Sequence, residues 1–357
     1  MKKIKAINQF VPALEKCDAI GNYALALQKY FKKLGYLSDI YTHTYDEDCR
    51  NDRIDYEIYK PGPEDLLFYH HSIGSPIADY VSQLDCAKAM IYHNITPARF
   101  YAPYCPSIAN ILKNGREGLK RLKNRFLINI GDSGYNTEEL KDLGFKNLYT
   151  LPILLSFENL NDRSFDKSVL KKIIKKSKNI LFVGRIVPNK KITDLVKAFY
   201  FYNKFINNDS HLFIVGDNKI KIYAAEIKLL IDYLSLGDKV TLTGKVSDRQ
   251  LYSYYKIADI FLCMSEHEGF GLPPLEAMHM QVPVIAYGST AITETLGGSG
   301  ILFTRKDYPR IAELINLVLT DSDLKADIIS GQNERLSYFS RENFEEKLNH
   351  ILNILGS

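Results

Sequence analysis

Short apolar runs alternating with helix-length segments, twice over, constrain this chain of 357 residues more than any other feature. In the first half, Ile4 to Ile7, Ser38 to Tyr41, Leu66 to His70 and Ala89 to Tyr92 read as strands. Helical patterns cover Tyr23 to Leu34, stopped by Gly35, and Pro76 to Leu84. The second half repeats the grammar with Asn179 to Val183, Leu212 to Val215, Val240 to Leu242, Ile260 to Cys263 and Val284 to Ala286. Strands that are apolar on both faces and separated by helices belong to parallel sheets covered on both sides. Two such series predict an α/β chain of two doubly wound domains, since one core rarely grows to this length.

The alternation lapses between Leu155 and Asn179, in a stretch rich in asparagine and lysine, which predicts domains over 1–160 and 177–338 joined by a linker at 161–176. Lysine blocks usually stay in water, so the run from Lys167 to Lys178 reads as a solvated helix face or linker. With 46% hydrophobic and 25% charged residues, the chain has the composition of a folded globular protein. A formal charge of +4 is too near balance for a nucleic-acid binder. Five cysteines, odd in number and without a C-x-x-C pair, argue against a disulfide framework or zinc site and for a reducing, cytoplasmic setting. No secretory leader and no membrane span is expected from the sequence.

Ligands of open parallel sheets bind beyond the carboxyl ends of the strands. After the strand ending at Cys263 comes Met-Ser-Glu-His-Glu-Gly-Phe-Gly-Leu-Pro-Pro-Leu-Glu. Its glycines permit close backbone approach, and Pro273 and Pro274 suit a helix start. A helix beginning near Pro273 would turn free N–H groups and its positive dipole end toward the glycine loop, favouring a diphosphate. Glu276 would lie in the first turn and Glu268 in the preceding loop. Both carboxylates suit sugar or ribose hydroxyls, which donate to an acceptor-only group.

Glu268 and Glu276, with Gly269, Phe270, Gly271, Leu272, Pro273 and Ala277-Met278, resemble the E-x7-E signature of glycosyltransferase family 4, retaining enzymes of the GT-B fold. The resemblance implies two Rossmann-like domains facing each other across a cleft, with a C-terminal helix, 339–357, returning to the N-terminal domain. It also implies that Glu268 lies near the donor sugar and that Glu276 binds the ribose. Gly184-Arg185-Ile186-Val187-Pro188-Asn189-Lys190, after an apolar strand, resembles the family's G-R-x4-K segment. Arg185 and Lys190 would then neutralise charge that develops on the departing nucleoside diphosphate, an interaction strongest in the transition state. The family carries glycine after this lysine, where this chain has Lys191; Lys190 is taken as the diphosphate ligand and Lys191 as a surface residue. By resemblance, Val246 lies near the donor base.

In the first half, His93 and Asn94 follow a predicted strand, and His93 resembles the family's catalytic-loop histidine. Gly21 stands in a loop before the first long helix that resembles the family's N-terminal glycine loop, although an ordinary turn reads equally well. Tyr69-His-His-Ser-Ile-Gly74 and Asp132-Ser-Gly-Tyr-Asn136 also resemble family segments, making His71, Asn94 and Tyr135 acceptor-side candidates.

The reading that results is a cytoplasmic, metal-independent and cofactor-free hexosyltransferase. It would move a sugar from a nucleoside-diphosphate donor to a glycan or lipid-linked acceptor hydroxyl in cell-surface glycan biosynthesis. A non-catalytic nucleotide-sugar binder and a donor hydrolase or phosphorylase on the same fold are the alternatives. Asp46-Glu47-Asp48, the one tempting D-x-D, sits in a polar loop and reads as a solvated charge cluster. Residues 113–125 (KNGREGLKRLKNR) could form a basic surface for anionic lipid at the inner membrane face, with Leu112, Leu119, Leu122 and Phe126 opposite. A solvated helix packing those residues on its own core is the competing reading.

Overall fold

A computed structural model describes residues 4–15, 18–155, 165–170 and 177–356. The predicted linker therefore lies outside the described residues except for 165–170, as does Cys17. Two compact units emerge. One comprises Met1–Ala102, Pro106–Leu155 and Phe339–Ser357; the other comprises Pro103–Cys105 and Ser156–Tyr338.

The first unit is built on a parallel sheet of seven strands. These are β1 (Ala6–Leu14), β2 (Ile40–Tyr45), β3 (Ile54–Asp55), β4 (Asp65–His71), β5 (Ala87–Tyr92), β6 (Ile128–Gly131) and β7 (Leu148–Thr150), in spatial order 3-2-1-4-5-6-7. The sequence reading ends β1 at Ile7, because Asn8 and Gln9 look like a strand terminus. In fact β1 continues to Leu14, and Gln9 is fully buried because its amide is hydrogen-bonded on both sides. Phe10, Phe31 and Phe68 fill the core around β1 and β4, with the last two rings 5.5 Å apart. The helix Arg341–Gly356 belongs to this unit: Phe344 packs edge-on against Tyr23 and Tyr30, and the Tyr30 hydroxyl donates to Asn349 Oδ1 at 3.4 Å.

The second unit holds a six-stranded parallel sheet of β8 (Lys178–Val183), β9 (Ser210–Val215), β10 (Val240–Leu242), β11 (Ile260–Cys263), β12 (Val284–Tyr287) and β13 (Ile301–Phe303), ordered 10-9-8-11-12-13. Strands β9 and β11 are buried at every residue, as expected of a sheet with helices on both faces, while the edge strands β10 and β13 are mostly half-buried. The helix Asp248–Ile257 starts at a capping box: Ser247 Oγ accepts from the Gln250 N–H, and the Gln250 side chain accepts from the Ser247 N–H. No helix among the described residues is long and apolar enough to cross a membrane.

Candidate functional site

Strand order in the second sheet reverses between β8 and β11, so the loops leaving these two strands open side by side into the crevice where α/β sheets bind ligands. Those loops carry Gly184 to Lys190 and Met264 to Gly271. The order reversal thus brings together motifs separated by about eighty residues of chain. Lys190 Nζ is ion-paired to Glu268 Oε2, and the two side chains are only 14% and 11% exposed. Arg185, by contrast, is exposed and makes no ion pair among the described residues.

Backbone placement around this pair is tightly determined. Asn189 Nδ2 donates to the His267 carbonyl at 2.9 Å, while its own carbonyl accepts from the Glu266 N–H at 2.9 Å, tying the two loops together. Thr290 fixes the Glu268 peptide at both ends: its Oγ1 accepts from the Glu268 N–H and donates to the Glu268 carbonyl, each at 2.9 Å. Thr290 itself has φ 44° and ψ −130°, an outlier for a β-branched residue and a store of strain. Lys191 also has a left-handed backbone, φ 53° and ψ 48°. Glycine adopts that conformation most easily, so a lysine here carries a backbone cost. Lys191 Nζ lies 3.3 Å from Glu266 Oε2, and Lys306 braces the same carboxylate at 2.8 Å while reaching Asp194 at 2.7 Å.

The helix after the glycine loop is Leu272–His279, with Gly271 at its N-cap in a left-handed conformation, φ 96°. A side chain at Gly271 would be strained and would meet Ile292 Cδ1 at 2.9 Å. Prolines at 273 and 274 remove two of the four N–H groups that a helix start leaves unsatisfied, so the amides of Gly271 and Leu272 are the donors available to an anion. Because the helix begins at Leu272, Glu276 falls in its second turn rather than its first. Tyr255 orients it: the buried hydroxyl donates to Glu276 Oε2 at 2.6 Å, and burial together with that carboxylate pushes its pKa well up. Val246 is half-buried in the loop after β10, and Phe270 is buried beneath the glycine loop.

In the first unit, order reverses between β1 and β4, and the candidate residues gather at the carboxyl ends of β4, β5 and β6. His93 is 6% exposed, with Nδ1 at 2.8 Å from Asp132 Oδ2 and Nε2 at 2.9 Å from His70 Nδ1. His71 is fully buried; its Nδ1 accepts from the Tyr69 hydroxyl at 2.9 Å and its Nε2 donates to the Gly115 carbonyl at 3.2 Å. Asn94, with φ 67°, spends both amide protons inside the unit, on Asn136 Oδ1 at 2.7 Å and Glu139 Oε2 at 2.9 Å. His71, His93 and Asn94 therefore direct their side chains inward, whereas Tyr135 is 38% exposed. Gly21 lies not in a loop before the first long helix but inside the first turn of the helix Ala19–Lys33, which Asp18 caps; a Cβ there would stand 2.5 Å from the Glu15 carbonyl oxygen, so the position admits no larger residue without shifting. Four residues that hold these candidates, Tyr255, Thr290, His70 and Asp132, carry no spacing signal of their own; Asp132 and His70 were legible only as parts of family-like segments.

Two sheets of this topology, each with its strand-order switch, define the GT-B class of glycosyltransferase folds, and solved structures bear this out. Sucrose-phosphate synthase from Thermosynechococcus elongatus superposes with a TM-score of 0.77 at 17% identity, covering 98% of this chain and 99% of that one. The Anabaena protein Alr3699/HepE, solved in complex with UDP-glucose, gives 0.75 at 16% identity with coverage of 98% and 99%. Residues 165–335, which lie in the second unit, match the family described as Glycosyl transferases group 1. Among curated relatives, the human alpha-1,3/1,6-mannosyltransferase ALG2 is 28% identical over 220 residues, 57% of this chain and 53% of that protein. The Staphylococcus aureus capsular polysaccharide biosynthesis glycosyltransferase CapM is 29% identical over 178 residues, 48% of this chain and 45% of that one. The alignments thus span about half the length of these relatives. The Salmonella typhimurium O-antigen chain mannosyltransferase RfbU is 33% identical over 132 residues, 37% of this chain and 35% of that protein.

Proposed function

We propose that the chain is a retaining glycosyltransferase that moves a hexose from a nucleoside-diphosphate donor to an acceptor hydroxyl in the assembly of a cell-surface glycan or glycolipid. The observation that carries this reading is the convergence of Lys190, Glu268 and the Gly271 and Leu272 amides at the β8–β11 switch point. Two of the relatives named above, CapM and RfbU, act by their names in capsule and O-antigen synthesis, which supports the setting.

In this reading the two amides and the Lys190 and Arg185 cations receive the diphosphate, Glu268 accepts from sugar hydroxyls, and Glu276, held by Tyr255, accepts from the ribose. The bond between the anomeric carbon and the diphosphate oxygen breaks as the acceptor oxygen bonds to the same face of that carbon. The acceptor's proton passes to the departing phosphate. Negative charge grows on that phosphate during the step, so cations fixed beforehand lower the barrier. Glu268 is engaged by Lys190, which suits a role in orienting hydroxyls rather than in forming a covalent sugar intermediate.

No metal is assigned a part. A screen of UDP, GDP and ADP sugars in excess chelator tests the proposal: nucleoside diphosphate release that depends on an added acceptor is expected, and release abolished by chelator would overturn the metal-free reading. Acceptor-independent release would favour a donor hydrolase.

A peripheral membrane contact is the finer part of the proposal. Leu112, Leu119, Leu122 and Phe126 are buried in the core of the first unit, so they are not available to lipid. Exposed Lys113, Lys120, Arg121, Lys123 and Arg125, with Ile111 and Leu127 beside them at 41% and 53% exposure, would make the contact. Flotation with anionic but not neutral vesicles, weakening with salt, is the expected result; no flotation with either would remove it.

A further inference from the structure

The buried chain from Gln9 to Asp132 permits a count of protons. Gln9, His70, His93 and Asp132 are 0%, 0%, 6% and 1% exposed, so water does not complete their bonding. Gln9 Nε2 donates to the Ala24 carbonyl at 2.9 Å, which fixes the amide and turns Oε1 toward His70 Nε2 at 3.0 Å. That oxygen only accepts, so His70 Nε2 bears a proton. At the far end Asp132 Oδ2, 2.8 Å from His93 Nδ1, accepts as a carboxylate, so His93 Nδ1 bears a proton as well. Between the rings, His70 Nδ1 and His93 Nε2 stand 2.9 Å apart and need one proton between them. Two neutral imidazoles carry two protons; this chain requires three.

We propose that His70 and His93 together hold one extra proton and one positive charge, balanced by Asp132, so that His93 serves as a buried imidazolium that positions the loop after β5. The charge rests on His93, the ring in contact with the carboxylate, while His70 is the acceptor. Tyr23 stands edge-on to both rings with centroids 5.9 Å away, which places no competing charge against them. From Asp132 the connection continues: Asn136 Nδ2 donates to Oδ1 at 2.5 Å, and Asn136 in turn accepts from Asn94. On the other side Glu139 binds Asn94 and Arg116, and Arg116 Nε donates to the Ile95 carbonyl at 2.9 Å. The turn His93-Asn94-Ile95 is therefore gripped through the ion pair on one flank and through Arg116 and Glu139 on the other. Both ring nitrogens of His93 are committed, so it takes no proton from an acceptor; Asp132 and His70 are positioning residues that act through it.

The role in turnover rests on the glycosyltransferase reading, whereas the proton count does not, and the experiment separates them. Nitrogen-15 NMR of the full chain labelled in its eight histidines is recorded at about pH 8, where ordinary imidazoles are neutral. One ring carrying protons on both nitrogens is expected, lost in Asp132→Asn and retained in His70→Asn, whose side-chain oxygen can still accept from His93. Eight neutral rings in the unmodified chain overturn the proposal, and that result needs no variant to fold. For the positioning role, Asp132→Asn should lower kcat by about 10- to 100-fold with donor KM little changed. Loss of the doubly protonated signal with unchanged kcat would refute positioning. A doubly protonated ring in a chain without transferase activity would instead count against the enzyme reading alone.

Discussion

The two clusters of candidate residues are held by different means. Around His93, side chains hold side chains: an uninterrupted run of hydrogen bonds passes from Gln9 in β1 through β4 and β5 to Asp132 and Asn136. Around Glu268, backbone does most of the holding. Lys191, Gly271 and Thr290 take positive φ, and Thr290 and Asn189 fasten peptide groups rather than other side chains. A site built on backbone geometry demands particular residue types at fixed spacing. A site built on side-chain networks demands only that suitable partners arrive from several elements.

The sharpest way to break this comparison lies in the Lys190–Glu268 pair. Lys190→Gln and Glu268→Gln should each lower kcat by about 10²- to 10³-fold, since a fixed charge at the reacting group is lost. The exchanged pair Lys190→Glu with Glu268→Lys should recover much of the folding stability lost by either single charge removal, as read by urea unfolding, yet recover none of the turnover. Recovery of both would reduce the pair to a structural salt bridge.

On the histidine side, the expected signature is in pH. Burial lowers the pKa of His71 from 6.5 to about 4, and His70 is lowered well below its ordinary value by burial and by His93. The unfolded chain thus binds more protons than the folded one as pH falls below 6.5. The stability due to neutral His71 is complete above that value and is lost on descending through about 4. It amounts to up to about 3 kcal/mol. Unfolding followed from pH 7 to 4 should show this slope, and His71→Gln should flatten it; an unchanged slope would contradict the inward, neutral placement.

Smaller effects sharpen the backbone side. Thr290→Ala keeps the strained φ and loses both bonds to the Glu268 peptide, so it should be less stable than Thr290→Gly by about 1 kcal/mol, while both lose turnover. Lys191→Gly relieves a left-handed residue and should change stability by no more than about 1 kcal/mol, its gain offset by loss of the Glu266 contact. A larger fall on Lys191→Gly would mean that its side chain matters beyond the backbone it occupies.

This difference also explains what the sequence made legible. The alternating apolar runs foretold both sheets, and the order switch put the two conspicuous motifs of the second unit side by side, as glycine, proline and charged residues at set intervals suggested. Ile54–Asp55 and Leu148–Thr150 escaped because neither Ile-Asp nor Leu-Tyr-Thr makes an apolar run that stands out from its surroundings. β1 was cut short because a buried glutamine looks like a strand end until its partners are known. Glu276 moved to the second turn because the helix starts one residue before the first proline. Tyr255 and Thr290 were invisible since their task, orienting Glu276 and Glu268, follows from three-dimensional proximity across about twenty residues. His93 was found by its place after a strand, but its commitment to Asp132 and His70 spans three strands and has no linear signature.

The most direct test of the central claim is proton NMR of the first-formed product, made from a donor of known anomeric configuration in the presence of chelator. Transfer at the Lys190–Glu268 site with the leaving phosphate taking the acceptor's proton predicts a product of the same configuration as the donor. A product of opposite configuration would contradict it.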